Sequence, residues 1–166
     1  MILLRDGVSP SQIKSTRVEI EKIKSVLNTV KLTYVVLNKK NTLKVFAMEN
    51  NTYNNIPPGT LVDDTVVNSE NFDFFLISQK TTQGLAQATH YNILYDDFRV
   101  KSDDIQFFIY KMCYLYYNWT GGIKIPAPCQ YAKKLAFLIG DKISSNKEIK
   151  LPDARFLNEI RSLYFL

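Results

Sequence analysis

One histidine and two cysteines are all the imidazole and thiol that this sequence offers to a metal ion. Cys113 and Cys129 stand in apolar surroundings with no Cys-x-x-Cys spacing. That excludes a zinc site and a disulfide framework, and it leaves two buried free thiols. No apolar run approaches the roughly 18 residues of a membrane span, and the opening MILL is cut short by Arg5 and Asp6, which leaves no signal-peptide core. These absences point to an intracellular, reducing compartment, cytoplasmic or nuclear, and to no membrane partner. There the glycosylation-like triplets Asn50-Asn51-Thr52 and Asn118-Trp119-Thr120 stay silent. Neither an internal repeat nor a composition shift marks a domain boundary, so residues 1–166 read as a single domain.

The apolar share, 46%, is enough for an ordinary core and excludes a disordered class. The net charge of +5 favours an anionic partner, but only if the lysines cluster.

Ser9-Pro10-Ser11-Gln12 carries a capping serine, a proline at the first helical position and a glutamine that completes a capping-box variant. A helix follows, with Ile13, Ile20, Ile23, Leu27 and Val30 on the face toward a sheet and Lys14, Arg17, Glu19, Glu21, Lys22 and Lys24 on the other. Residues 31–39, KLTYVVLNK, and 43–47 are expected to form a hairpin across the polar break at 38–41. NNTYNNIPPG, 50–59, reads as a loop, and 61–67, 72–78 and 90–95 as strands. From Ser102 the period becomes helical through Ile105, Phe108, Ile109, Met112 and Tyr116, with Asp103 and Asp104 in the first turn and Gly121-Gly122 as the stop. Residues 125–128 lead into a further helix whose stripe is Tyr131, Leu135, Leu138 and Ile139, with Lys133 off the stripe. RFLNEIRSLYFL closes the chain as an amphipathic segment.

Asp6 lies at a strand end before Gly7. On these residues alone Asp-Gly is a turn former; the other reading is a carboxylate held at a strand end for a metal ion. Lys39, Lys40 and Lys44 read likewise as a solvated turn or as a phosphate contact.

Taken together and in order, RDGVS, TYVVLNKKNTLKVF, NNIPPGTLVD, FDFFLISQ, TQG, ATHYNILYDD, YKMCYLYYNW, IPAPCQYAKKLAF and LYFL resemble the carboxyl-terminal half of the Piwi domain of Argonaute proteins. CQYA and LYYNW are closer to the Piwi branch than to the Ago branch. The resemblance implies an α/β fold, the carboxyl-terminal half of an RNase H-like domain with a mixed sheet flanked by helices. It implies small-RNA-guided gene silencing, with a guide RNA, a complementary target RNA and the remainder of an Argonaute chain as partners. In active members Mg2+ or Mn2+ on clustered acids cuts the target by two-metal hydrolysis.

Of the family's catalytic set, in order Asp, Glu, Asp and usually His, Asp6 matches the third member and implied metal ligand. Lys133 stands in the place of the fourth. A protonated lysine has no lone pair for a metal. The first two acids have no counterpart, because only five residues precede Asp6. The resemblance therefore implies a chain inactive by itself as a nuclease, which binds no metal alone and lacks the amino-terminal part of the domain. The same pattern implies guide contacts at Lys39, Lys40, Lys44, Gln79, Gln83, Gln87, Tyr116 and Gln130, with Gln87 and Asn118 where relatives often carry arginine. His90 maps to a structural position and reads as a hydrogen-bonded packing residue, and Leu166 to the buried chain end near the guide 5′ end. A second reading is a stand-alone, noncatalytic half-domain that acts through protein interaction at an open sheet edge.

Overall fold

A computed structural model describes residues 1–67 and 72–144. The closing segment RFLNEIRSLYFL, with Leu166, lies outside them. The chain divides into two compact units, Met1–Ala127 and Pro128–Leu166.

The first unit is built on a mixed five-stranded sheet. Strand β1 (Ile2–Asp6) runs parallel to β2 (Thr33–Asn38), and the connection between them is helix α1 (Ile13–Leu27), as parallel neighbours require. β2 pairs antiparallel with β7 (Thr89–Asp96), β7 with β6 (Asp73–Ile77), and β6 with β5 (Thr60–Val62), which gives the order β1-β2-β7-β6-β5. β2 is inside the sheet and buried from Thr33 to Leu37, and its sequence is accordingly an uninterrupted run rather than an alternation.

One α1 face meets the sheet as expected: Ile20 and Ile23 pack with Val8, Leu32, Tyr34, Val36 and Leu94. Val30 differs, since it falls after the helix and is exposed. The helix entry is a 3-10 turn over Pro10–Gln12 in which the Ser9 backbone N–H donates to Gln12 Oε1 at 3.1 Å, one half of the expected capping box. The Ser9 hydroxyl bonds instead to Ser11 Oγ, 2.9 Å away.

The expected hairpin between residues 31–39 and 43–47 does not form. β2 takes its partners from β1 and β7, and the second segment shifts to β3 (Phe46–Glu49), which pairs with β4 (Thr52–Asn55) inside the stretch read as a loop. The turn between them is Asn50-Asn51, with φ of 49° and 62°. Asparagine tolerates this left-handed conformation, which matches the twist of a tight hairpin. Both strands are largely exposed, so no burial pattern announced them. β5 covers only the first part of the expected 61–67 strand.

Helix α2 (Ser102–Met112) begins at the expected serine with Asp103 and Asp104 in its first turn, but it stops about nine residues before the glycine pair. The Cys113 carbonyl is taken by the Ile123 N–H at 2.9 Å, and Gln106 Nε2 donates to Asp63 Oδ2 at 2.9 Å beyond β5. Cys113 and Cys129 are both buried and neither is in a disulfide, and burial pushes the Cys113 thiol up to about 11.

Tyr34 on β2 is fully buried, and its hydroxyl donates to Glu19 Oε1 at 3.1 Å. Burial first, and then this hydrogen bond, raise its pKa from 10.0 to about 12. The folded value lies above the unfolded one. The stabilising contribution of the neutral phenol is therefore complete below pH 10.0 and disappears as pH rises through about 12. Urea midpoints measured across that window should fall more steeply for the native sequence than for Tyr34→Phe, with the missing tyrosinate absorbance of the variant identifying the group.

Helix α3 (Ala127–Ser144), which belongs to the second unit from Pro128 on, starts where the Ile125-Pro126-Ala127-Pro128 stretch predicts. Lys133 Nζ lies 5.7 Å from the centroid of the Phe137 ring one turn along α3, a cation–π pair.

Candidate functional site

The parallel pairing sets Asp6 opposite Leu37, and the Gly7 N–H donates to the Leu37 carbonyl at 3.0 Å. Gly7 has φ of 76°, a conformation that glycine adopts without cost. The chain therefore turns sharply at the end of β1 and leaves the Asp6 carboxylate beside the residues that follow β2. The result is a cleft of about 590 Å³ lined by Asp6, Ser9, Asn38, Lys39, Lys40 and His90, among others.

Within the cleft Lys39 Nζ donates to Asp6 Oδ2 at 2.5 Å, a half-buried ion pair. The other oxygen, Asp6 Oδ1, is buried and has no hydrogen-bond partner. His90 turns its Nε2 to Asp73 Oδ2 at 2.6 Å and stacks its ring on Phe75, with centroids 4.3 Å apart. That is the packing arrangement expected for it.

The segment after β2 is held open by Asn41, whose Nδ2 donates to the Ala88 carbonyl at 2.9 Å while its Oδ1 accepts from the Leu43 N–H at 3.2 Å. Lys40 and Lys44 are exposed on this segment. A lysine that the sequence reading missed joins them from far along the chain. Lys124 Nζ donates to the Lys39 carbonyl at 3.1 Å and to Gln87 Oε1 at 2.8 Å. Its backbone is fixed from the sheet, because Thr89 Oγ1 donates to the Lys124 carbonyl at 2.9 Å and Ser78 Oγ to the Ile123 carbonyl at 2.6 Å. Gly122 makes this approach possible: a Cβ there would lie 2.4 Å from the Ser78 carbonyl oxygen. The Lys124 pKa is lowered by partial burial first, and then by the charges of Lys39 and Lys44. Sequence alone gave one hint of Lys124, a single cation in the otherwise neutral GGIKIPAP.

A second cleft of about 530 Å³ collects Gln79, Lys80, Gln83, Tyr116, Asn118 and Trp119. The fold thus brings Asp6, Lys39 and Lys40 to one cleft, Gln79, Gln83 and Tyr116 to another, and joins Gln87 to the lysine cluster through Lys124. Gln130 and Lys133 lie on α3 in the second unit.

Mg2+ or Mn2+ in a two-ion site needs several oxygen ligands per ion. Asp6 offers one buried, unpartnered oxygen, while its other oxygen carries the Lys39 ammonium. Among the described residues no three acids, histidines or cysteines are grouped to hold a metal ion. These residues by themselves do not fit such a site. Among them, also, no helix is long and apolar enough to cross a membrane.

Residues 1–144 match the Piwi domain family. The chain belongs to that family. The Piwi domain described here is 41% identical over 160 residues to Piwi-like protein 1 of Gallus gallus, covering 92% of this chain and 18% of that protein. The crystal structure of Drosophila Piwi superposes with a TM-score of 0.71 at 40% identity over 84% of this chain and 20% of the other. A structure of Kluyveromyces polysporus Argonaute with a guide RNA gives a TM-score of 0.71 at 27% identity, over 82% and 19% of the two chains. The α/β, RNase H-like Piwi fold and the Piwi branch are as expected from the sequence. The chain spans about a fifth of the length of these relatives, 18% of the Gallus protein.

Proposed function

We propose that this Piwi domain chain binds guide RNA and its paired target within a Piwi-type Argonaute, in an intracellular silencing pathway. Lys40 and Lys44 contact the guide backbone, joined by Lys124, and Lys39 stands beside them as a fourth cation that the guide can reach only when it leaves the Asp6 carboxylate. Gln79, Gln83, Gln87, Tyr116 and Gln130 add neutral contacts. The supporting observation is the convergence of lysines from two distant stretches, close enough for Lys39 and Lys44 to depress the Lys124 pKa. Phosphate relieves this mutual repulsion, and each lysine that meets a phosphate releases a counterion.

Any target cutting requires the complete domain. Asp6 would ligate Mg2+ or Mn2+ only together with acids supplied by the remainder of an Argonaute chain, and Lys133 in the usual histidine position weakens that site further. The described chain alone is therefore a binding module and no nuclease.

A second reading draws on β1, which has a strand neighbour on one side only among the described residues. Its free edge suits a further strand, and a noncatalytic half-domain could act through that edge by protein interaction.

Fluorescence anisotropy with a labelled oligouridine, repeated over a salt series, separates the two. RNA binding predicts that log K falls linearly with log salt, with a slope of about −2 for three lysine–phosphate contacts on a single strand. An affinity indifferent to salt sinks it and leaves the interaction reading.

A further inference from the structure

Of the clustered lysines, Lys39 is the one drawn to a carboxylate, at 2.5 Å from Asp6 Oδ2, while Lys40 and Lys44 stand exposed. The pairing is built into the backbone. Parallel register puts Asp6 opposite Leu37, two residues before Lys39, and Lys124 holds the Lys39 carbonyl. The Asp6 carboxylate has no other partner to turn to, since its Oδ1 is buried and unbonded. A phosphate that recruits Lys39 must leave both Asp6 oxygens without a cation, and the cost of that half-buried, uncompensated charge counts against RNA binding.

We propose that Asp6 is an intramolecular anion that competes with backbone phosphate for the Lys39 ammonium, holding this lysine in reserve and weakening the grip of the cleft on single-stranded RNA. The inference rests on the RNA-binding reading above and names a regulation of the same site. It gives Asp6 a role that needs no metal ion, in keeping with a set of residues that does not fit one. It also makes Lys39 differ in kind from its neighbours: Lys40, Lys44 and Lys124 act on phosphate at once, and Lys39 acts only when Asp6 is neutralised or otherwise engaged.

The test is a double-mutant cycle on the 166-residue chain, with labelled oligouridine as the probe and EDTA present so that no divalent cation reaches Asp6. Asp6→Asn is expected to bind about threefold to tenfold tighter at low salt, the range of a partly buried ion pair released. Its salt slope should steepen by about 0.7, one added phosphate contact on a single strand. Lys39→Met should change the native affinity less than about twofold, yet remove most of the gain when combined with Asp6→Asn.

Asp6→Asn binding no tighter than the native chain overturns the inference, and so does a gain that survives Lys39→Met, which would be a general charge effect. If Asp6→Asn fails to fold by circular dichroism, Lys39→Met alone decides: a loss of about fivefold or more, a full phosphate contact, means that Lys39 was never held back. A native chain with salt-independent affinity removes the RNA-binding reading and this inference together, whereas normal native binding with a silent cycle removes the inference alone.

Discussion

Combined replacement of Lys40→Ala, Lys44→Ala and Lys124→Gln is expected to weaken oligouridine binding about a hundredfold at about 0.1 M salt. A phosphate contact to a single strand contributes a factor that scales as salt to about the −0.7 power, about fivefold at that concentration, and three such factors multiply to about a hundred. The slope of log K against log salt should flatten by about 2. Lys124→Gln retains an N–H donor near the Lys39 carbonyl, so the loss reports charge more than the brace between the two segments. Lys40 and Lys44 are exposed and Lys124 is half-buried; a urea midpoint within error of the native value would verify that the fold survives. A loss of less than about fivefold would mean that one lysine at most meets a phosphate.

Phe74→Ala should be the most damaging single change to stability, at about 3–5 kcal/mol. Phe74 is fully buried on β6, and its ring stacks on Tyr91 of β7 with centroids 5.1 Å apart and planes 14° apart. Truncation leaves a ring-sized void between two strands that cannot collapse without breaking their pairing, and it removes a stacked aromatic contact as well. Because domains of this size are stable by about 5–15 kcal/mol in total, the variant should lose a large part of its margin. The measurement is the urea midpoint, which should drop by about 2 M. Phe75→Ala is the control: Phe75 is half-buried and stacks on His90, so a smaller drop is expected. Equal midpoints for the two variants would contradict this account of the core.

The site was legible where chemistry sits in contiguous residues. Asp6-Gly7 at a strand end and the lysines of NKKNTLK can be picked out by type and position, and so can the glutamines of the loop after β6. Lys124 could not, because what makes it part of the cluster is the Thr89 hydroxyl on its backbone and the missing side chain at Gly122, both set by packing onto the sheet. The Asp6–Lys39 pair was equally hidden: residues 33 apart in sequence meet only because β1 and β2 are parallel neighbours in register. His90 was read correctly as a packing residue, although its partner Asp73 becomes known only with the β6–β7 pairing.

Sequence by itself determined the α/β class, the helices α1, α2 and α3 from their apolar period and caps, and the strands β2, β6 and β7 from their apolar runs, because these signals are local and repeat within each element. Family membership was legible for a related reason, since many short segments keep their order along the chain. Tertiary structure alone decided the partners. The segment 31–39 lies within reach of 43–47 and could have folded back on it, but burying Thr33 to Leu37 on both faces between β1 and β7 removes far more apolar surface from water than a two-stranded hairpin does. That choice freed residues 39–45 to form the cationic segment, left Asn50-Asn51 to turn the exposed β3–β4 hairpin, and put Asp6, Lys39 and Lys124 in one place.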